Sequence, residues 1–217
     1  MKNRIFVLSL LFLLFYACDS DSFSKKVFRT YNKSGVKDHT AWLGINTVQN
    51  PCDMWALQEL IYEVKPDFIV ETGTLFGGSA VFFAHLLQEI NEGGKVITVD
   101  IADYAQEAKK LRLWQERVEF ILGDSVSKET IDKIKELVRG SKEVIVTLDS
   151  DHHAKHVLRE LRLYSKFVTV GSYLIVQDTS LDIWGKRKDY WNNGPMTAMQ
   201  RFLEFNDDFV IDKKLNK

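Results

Sequence analysis

The feature that most constrains the fold of this chain is a series of short apolar runs, each followed closely by an acidic residue. The runs show little polar alternation, as in F-I-V at 68–70 and V-I-V-T-L at 144–148. Strands of this composition are buried on both faces, which requires a parallel sheet covered by helices. The sequence therefore predicts a Rossmann-like, doubly wound α/β domain, mostly parallel, that binds its ligand at the carboxyl ends of the strands.

The predicted elements alternate along the chain, and one globular domain is expected over 42–217. Residues 19–41 are polar and aperiodic, and are interpreted as a linker or arm. Strands are predicted at 67–71, 95–100, 118–122, 144–148, 173–177 and 209–212, and helices at 78–90, 104–113, 128–138, 153–165 and 195–204.

The first 18 residues differ from the rest. A basic start precedes an apolar run of about 13 residues, too short to span a membrane comfortably but typical of a signal-peptide core. Ala17-Cys18 resembles a bacterial lipoprotein cleavage site, with Cys18 as the lipidated residue. We expect residues 1–18 to be an export leader that places the protein at the membrane of the cell envelope. The alternatives are a buried apolar first helix and a cytoplasmic protein.

Charge and cysteine content exclude several classes of protein. The chain carries 29 basic and 30 acidic residues, a net charge of −1, so no positive field indicates a nucleic-acid partner. Two cysteines without C-x-x-C spacing provide neither a disulfide framework nor a cysteine-ligated metal site.

The predicted strands end in acidic residues at regular spacing. Any single acid in such a position is as readily a turn or helix-cap residue, but the whole set favours a ligand cleft. For Asp124 the sequence allows two roles, a contact with an adenine ring or a cap of the next helix. The five acids are Glu71, Asp100, Asp124, Asp149 and Asp178.

The turn after the first predicted strand reads E-T-G-T-L-F-G-G-S. Gly73 and Gly77 permit close backbone approach, but Glu71 would repel the pyrophosphate of a dinucleotide. A ligand with an amine and a carboxylate fits better, with Ser79 at the helix N-terminus receiving the carboxylate. S-adenosylmethionine has both groups, and Asp100 would bind its ribose diol. Asp100 alone also suits NAD, so a nicotinamide-dependent oxidoreductase remains an alternative, disfavoured by Glu71 and the glycine spacing.

A second group of residues indicates a metal. Asp149 and Asp178 follow neighbouring strands, so their carboxylates would converge, with Gln177 beside them. Hard oxygen ligands favour Mg²⁺ over zinc or copper. A metal there could hold a substrate hydroxyl, and His152 is the expected proton acceptor. His156, one helical turn later, is interpreted as a surface residue.

In six motifs and in their order, the chain resembles the bacterial cephalosporin hydroxylase and rhamnosyl O-methyltransferase family. This family has the class I S-adenosylmethionine-dependent methyltransferase fold. The resemblance covers roughly 42–214. It rests on D-M-W-A-L-Q-E-L-I-Y-E-V-K-P-D (53–67), V-E-T-G-T-L-F-G-G-S-A (70–80), V-T-V-D-I (97–101), L-D-S-D-H-H-A-K-H-V (148–157), V-G-S-Y-L-I-V-Q-D-T (170–179) and N-N-G-P-M-T-A-M-Q-R-F-L (192–203).

The resemblance implies a Mg²⁺-dependent O-methyltransferase that acts on a hydroxyl of a sugar, glycolipid or polysaccharide. It implies cofactor binding by the turn at 71–79 and Asp100, and a metal held by Asp149 and Asp178. Gln177 stands where the family commonly has an acid, which removes one negative charge from the metal site. The expected partners are a small-molecule or glycolipid hydroxyl, a membrane reached through Cys18 and a second copy of the chain.

The export leader, together with the departures at Gln177 and at the C-terminal end, supports a second reading, an exported lipoprotein that keeps the fold as an inactive binding module. S-adenosylmethionine is made in the cytosol, which conflicts with an export leader. The final antiparallel strand of the family is missing here, so the sheet edge is expected to be incomplete or completed by a partner. Acceptor specificity is expected in the arm before Trp42 and in the loop 180–195, through Trp184 and Trp191.

Overall fold

The computed structural model of the chain describes residues 3–7, 26, 30–31, 33–184 and 193–212. They form a seven-stranded sheet covered by helices and a small two-stranded sheet. The strands are β1 (Asn3–Val7), β2 (Ala41–Trp42), β3 (Ile45–Asn46), β4 (Phe68–Thr72), β5 (Lys95–Asp100), β6 (Val118–Leu122), β7 (Val144–Leu148), β8 (Tyr173–Val176) and β9 (Phe209–Ile211). The α-helices are α1 (Pro51–Val64), α2 (Gly78–Ile90), α3 (Arg112–Arg117), α4 (Lys128–Leu137), α5 (Ala154–Tyr164), α6 (Leu181–Trp184) and α7 (Pro195–Glu204).

The large sheet has the strand order β6-β5-β4-β7-β8-β1-β9, and its pairings among the described residues are all parallel. The chain moves outwards from β4 through β5 to β6, then returns to the other side of β4 with β7. The strand order therefore reverses between β4 and β7, which is where a doubly wound sheet leaves a crevice for a ligand.

Helices cover both faces of the sheet, as the continuous apolar strands predict. In β4, Ile69 faces the side covered by α1, α2 and α3, whereas Val70 faces α4, α5 and α7. Both side chains are essentially inaccessible, at 1% and 0% exposure. Two apolar layers around one sheet explain why its central strands lack the alternating pattern of half-exposed strands.

The structure confirms the predicted α/β architecture and most of the element positions. The helix predicted at 104–113 is wrong: a short 3-10 turn at Ala108–Lys110 precedes helix Arg112–Arg117. The extended backbone of Leu111 separates the two. Helix α1 was not predicted, although Asn50 caps it through its side chain and a proline stands in its first turn.

Strand β1 lies inside the segment predicted to be an export leader. It pairs in parallel with β8 on one side and with β9 on the other, so β9 joins the sheet through β1. Cys18 lies outside the described residues, and the leader and its lipid anchor stay predictions. The arm contributes helical residues at 30–31 and 33–34 and a 3-10 turn at Val36–His39. Within the described part of the chain, no helix has the length and apolarity needed to cross a membrane.

Candidate active site

A cavity of about 850 Å³ opens at the carboxyl ends of strands β4 to β8. Its volume lies within the range of small-molecule and cofactor sites. Most of the residues predicted from the strand ends line it. These are Gly73, Ser79, Asp100, Asp124, Asp149, His152, Gln177 and Asp178. Glu71 and Gly77 do not line it.

The two glycines of the turn after β4 have different roles. Gly73 has a left-handed backbone, φ +88°, and a Cβ there would lie 2.0 Å from the carbonyl oxygen of Asp149. It thus allows the turn to pack directly against the loop after β7. At Gly77, with φ +83°, a Cβ would lie 2.7 Å from the Trp114 ring of α3. The absent side chain at Gly77 therefore serves helix packing rather than ligand contact.

Glu71 lies beneath the cavity floor, 1% exposed. Its Oε2 accepts a hydrogen bond of 2.6 Å from the Thr98 hydroxyl, which is also 2.7 Å from the Thr74 hydroxyl. Burial raises the pKa of Glu71 to about 7, although hydrogen bonds with Ser79 and Thr98 oppose the rise. Glu71 therefore supports the turn from below. A direct contact between its carboxylate and a ligand ammonium stays a prediction.

Two further acids each hold backbone amides while facing the cavity. Asp100 Oδ2 accepts from the Leu75 amide at 2.9 Å, which ties the end of β5 to the glycine turn. Asp124 Oδ1 accepts from the Val126 amide at 3.0 Å. The N-cap of α4 is Ser127, whose side chain accepts from the Thr130 amide, so the helix-cap reading of Asp124 is wrong.

The loops after β7 and β8 bring Asp149, His152 and Asp178 together. One potential ligand atom from each of these side chains lies within 4.8 Å of the others. His152 Nε2 is 3.3 Å from Asp178 Oδ2. Burial, and then the nearby Asp178 carboxylate, raise the pKa of Asp149 well above its usual value. Two carboxylates that face each other in this way would gain from a bound cation.

The carboxylate oxygens of Asp149 and Asp178 are ligands that Mg²⁺ or Mn²⁺ accepts, and the imidazole of His152 lies beside them. Gln177, 5% exposed, lines the same part of the cavity. The next residue, Asp178, has a left-handed backbone with φ 55°, a conformation that Asp tolerates better than most residues. The residues present therefore fit a divalent cation.

The sequence profile of the Rhamnosyl O-methyltransferase/CmcI family matches residues 34–217. The chain belongs to this family. It is similar to the rhamnosyl O-methyltransferase of Mycobacterium leprae, with 34% identity over 197 residues, 89% of this chain and 83% of that protein. The protein of the same name from Mycobacterium tuberculosis H37Rv is 34% identical over 203 residues, 92% of this chain and 80% of that one. The protein is therefore an S-adenosylmethionine-dependent O-methyltransferase.

Solved structures share the fold of this methyltransferase. A CmcI structure with Mg and S-adenosylmethionine superposes with a TM-score of 0.55 at 21% identity, over 77% of this chain and 64% of that one. An O-methyltransferase from Bacillus cereus in complex with S-adenosylhomocysteine gives a TM-score of 0.57 at 20% identity, over 87% of this chain and 80% of that one. At these identities the likeness concerns the fold.

The structure corrects the interpretation of His156 as a surface residue. His156 is partly buried and lines the cavity of the methyltransferase. Its Nε2 lies 3.1 Å from the Ser125 hydroxyl and 3.4 Å from Oε1 of the buried Glu160. The hydrogen bond with Glu160 raises the pKa of His156. The spacing of four residues between His156 and Glu160 on one helix was the available sequence signal.

Two other cavity residues had no comparable signal in the sequence. Gln49 donates a hydrogen bond from Nε2 to Asp149 Oδ2 at 2.6 Å. Tyr31 reaches the cavity from the arm, and its hydroxyl has no hydrogen-bond partner among the described residues. Burial and the nearby Asp53 raise the pKa of Tyr31 to about 12. The loop 180–195 is described only in part: Trp191 lies outside the described residues, as does the side chain of Trp184.

Proposed function

We propose that this methyltransferase transfers a methyl group from S-adenosylmethionine to a sugar hydroxyl with the help of Mg²⁺. The observation that carries the proposal is the Asp149, His152 and Asp178 group, which opens into the same cavity as Ser79 and Asp100. One cavity thus offers groups for a donor at one end and groups for a metal and a proton acceptor at the other.

The donor would be held by the residues at the ends of β4, β5 and β6. Ser79, in the first turn of α2, suits the carboxylate of the donor, because the helix N-terminus is electropositive there. Asp100 would accept hydrogen bonds from a ribose diol, and Asp124 would lie near the adenine ring of the donor. Glu71 would act from below the cavity, since its carboxylate hydrogen-bonds with Thr98 of β5 and Ser79 of α2.

Asp149 and Asp178 would hold the metal, and the side-chain oxygen of Gln177 would complete the protein ligands. Bound Mg²⁺ supplies Lewis acidity, which lowers the pKa of a hydroxyl oxygen at the site. His152 would accept the proton that this hydroxyl loses. Asp178, 3.3 Å from His152 Nε2, would stabilise the resulting imidazolium.

The acceptor class is inferred from the side of the cavity next to the arm. Tyr31, Asn50 and Asp53 line it with hydroxyl, amide and carboxylate groups. The Tyr31 hydroxyl is protonated at neutral pH and has no hydrogen-bond partner among the described residues, so it can donate a hydrogen bond to a ligand. Such a lining suits a polyhydroxylated ligand, and the relatives named rhamnosyl O-methyltransferases support a deoxysugar.

The test is methyl transfer from isotopically labelled S-adenosylmethionine to methyl α-L-rhamnopyranoside and to a glycolipid extract of a bacterial envelope. We expect labelled methyl ether with Mg²⁺ and about 10³-fold less after chelation by EDTA, since a metal contributes several kcal/mol to such a step. Transfer that is unchanged by EDTA would contradict the metal role. Failure to bind S-adenosylmethionine at millimolar concentration in calorimetry would favour an inactive binding module instead.

A further inference from the structure

The segment that precedes α1 contributes a contact to the proposed metal site. Gln49 Nε2 donates a 2.6 Å hydrogen bond to Oδ2 of Asp149, a residue 100 positions later in the chain. Gln49 also lines the cavity. The contact engages one of the two carboxylate oxygens of Asp149 with a neutral donor, so the negative charge of the carboxylate is not cancelled.

The backbone around Gln49 is held in an unusual conformation. Val48 has φ 52°, a left-handed conformation that is rare for a β-branched residue and costs about 1–3 kcal/mol. The Val48 amide donates to Asn46 Oδ1 at 3.1 Å, and the Thr40 hydroxyl donates to the Gln49 carbonyl at 3.1 Å. These bonds maintain the strained backbone and fix the direction in which the Gln49 side chain leaves it.

Helix α2 fixes the same segment from the other side. A Cβ on Gly78 would lie 2.3 Å from the Asn46 carbonyl oxygen, so the helix start and the segment are in backbone contact. The Thr47 hydroxyl is 2.8 Å from the Thr40 hydroxyl, which closes the small turn below Gln49. Gln49 is thus anchored to the same rigid element that carries Ser79.

We propose that Gln49 is a positioning residue for the metal-binding carboxylate of Asp149. The inference rests on the proposed function, because it requires a divalent cation at Asp149 and Asp178. Gln49 restrains the Asp149 side chain so that it stays near Asp178 despite the repulsion between the two carboxylates. Groups that orient a ligand in this way change metal affinity by about 10- to 100-fold when they are removed.

The experiment measures Mn²⁺ binding to the purified full chain by electron paramagnetic resonance of the free ion. Gln49→Met keeps the length of the side chain and removes the N–H donor. We expect it to raise the Kd for Mn²⁺ by about 10-fold or more, while calorimetry gives the same affinity for S-adenosylmethionine within about twofold. Gln106→Met is the matched control, because Gln106 also donates to an aspartate, Asp103, but is exposed and does not line the cavity.

Gln49→Ala is the second variant, and it should weaken Mn²⁺ binding at least as much as Gln49→Met. Unchanged Mn²⁺ affinity in both variants would overturn the positioning role and leave the proposed function intact. Loss of Mn²⁺ and S-adenosylmethionine binding together, with a lower unfolding temperature, would overturn it in favour of a general structural role. Absence of Mn²⁺ binding in the unmutated protein would overturn this inference together with the metal part of the proposed function.

Discussion

The two ends of the cavity differ in how well their acidic groups are satisfied by the protein itself. At the proposed donor end, lined by Ser79, Asp100 and Asp124 with Glu71 beneath them, each acid accepts hydrogen bonds from nearby backbone or hydroxyl groups. At the proposed metal end, lined by Asp149, His152, Gln177 and Asp178, Asp149 accepts a hydrogen bond from Gln49, but burial and then the nearby Asp178 carboxylate still raise its pKa. The acids of the proposed donor end thus have partners within the protein, whereas those of the proposed metal end would gain from a bound cation.

The largest expected effect is a loss of methyl transfer that leaves donor binding nearly unchanged. Asp149→Ala removes a proposed metal ligand, so methyl transfer should fall by about 10³-fold, since the metal contributes several kcal/mol to the barrier. Donor affinity, measured by calorimetry, should change by less than about threefold, because the variant leaves the donor end intact. A large loss of donor affinity would show that the two ends do not function separately.

His152→Gln tests the proton acceptor at the metal end. We expect kcat to fall by about 10²-fold, the lower part of the range for a general base, with donor affinity unchanged. His153→Gln is the control, since His153 contacts Asp151 and does not line the cavity. Equal losses in the two variants, measured by initial rates, would contradict the role of His152.

Asp100→Asn tests the donor end, and it should weaken donor binding without affecting the metal end. A hydrogen bond to a charged group contributes about 1.5–3 kcal/mol, so the Kd for S-adenosylmethionine should rise by about 10-fold or more. Mn²⁺ affinity should stay the same. Asp103→Asn is the control, because Asp103 pairs with Lys109 outside the cavity. Calorimetry that shows no change for Asp100→Asn would remove Asp100 from the donor site.

The last expected effect concerns stability without ligands. The pKa of Glu71 is raised to about 7 in the folded protein from 4.5. The folded state therefore binds a proton more tightly than the unfolded state, and its stabilising contribution is present below pH 4.5 and lost as pH rises to about 7. Glu71→Gln removes this loss, so it should increase the free energy of unfolding by about 2–3 kcal/mol at pH 8 and hardly at all at pH 4.5.

Denaturant unfolding of both proteins at the two pH values measures this difference. Glu116→Gln, on the exposed face of α3, should change the free energy of unfolding by no more than about 0.5 kcal/mol at either pH. A Glu71→Gln variant less stable than the unmutated protein at pH 8 would mean that the charged form of Glu71 is favoured by its surroundings.

The sequence predicted the sheet and the acids at its edge because both signals are local. An apolar strand and the acid that follows it are adjacent in sequence, and parallel topology then brings the acids together. The roles of individual site residues depend on tertiary packing, so they could not be predicted from local sequence. The role of Gly77 depends on its contact with the Trp114 ring, and the role of Gln49 depends on a carboxylate 100 residues away in the sequence. Neither contact leaves a periodic or nearby signal.

Strand β1 consists of residues that the sequence also predicts to be part of an export leader, and the two roles exclude each other. If a signal peptidase cleaved before Cys18, the mature protein would lack Asn3–Val7, and β9 would lose the strand through which it joins the sheet. Cleavage of the leader and completion of the sheet would then require the same segment. The intact mass of the protein recovered from cytosol and from envelope would therefore also report which form of the sheet each compartment contains.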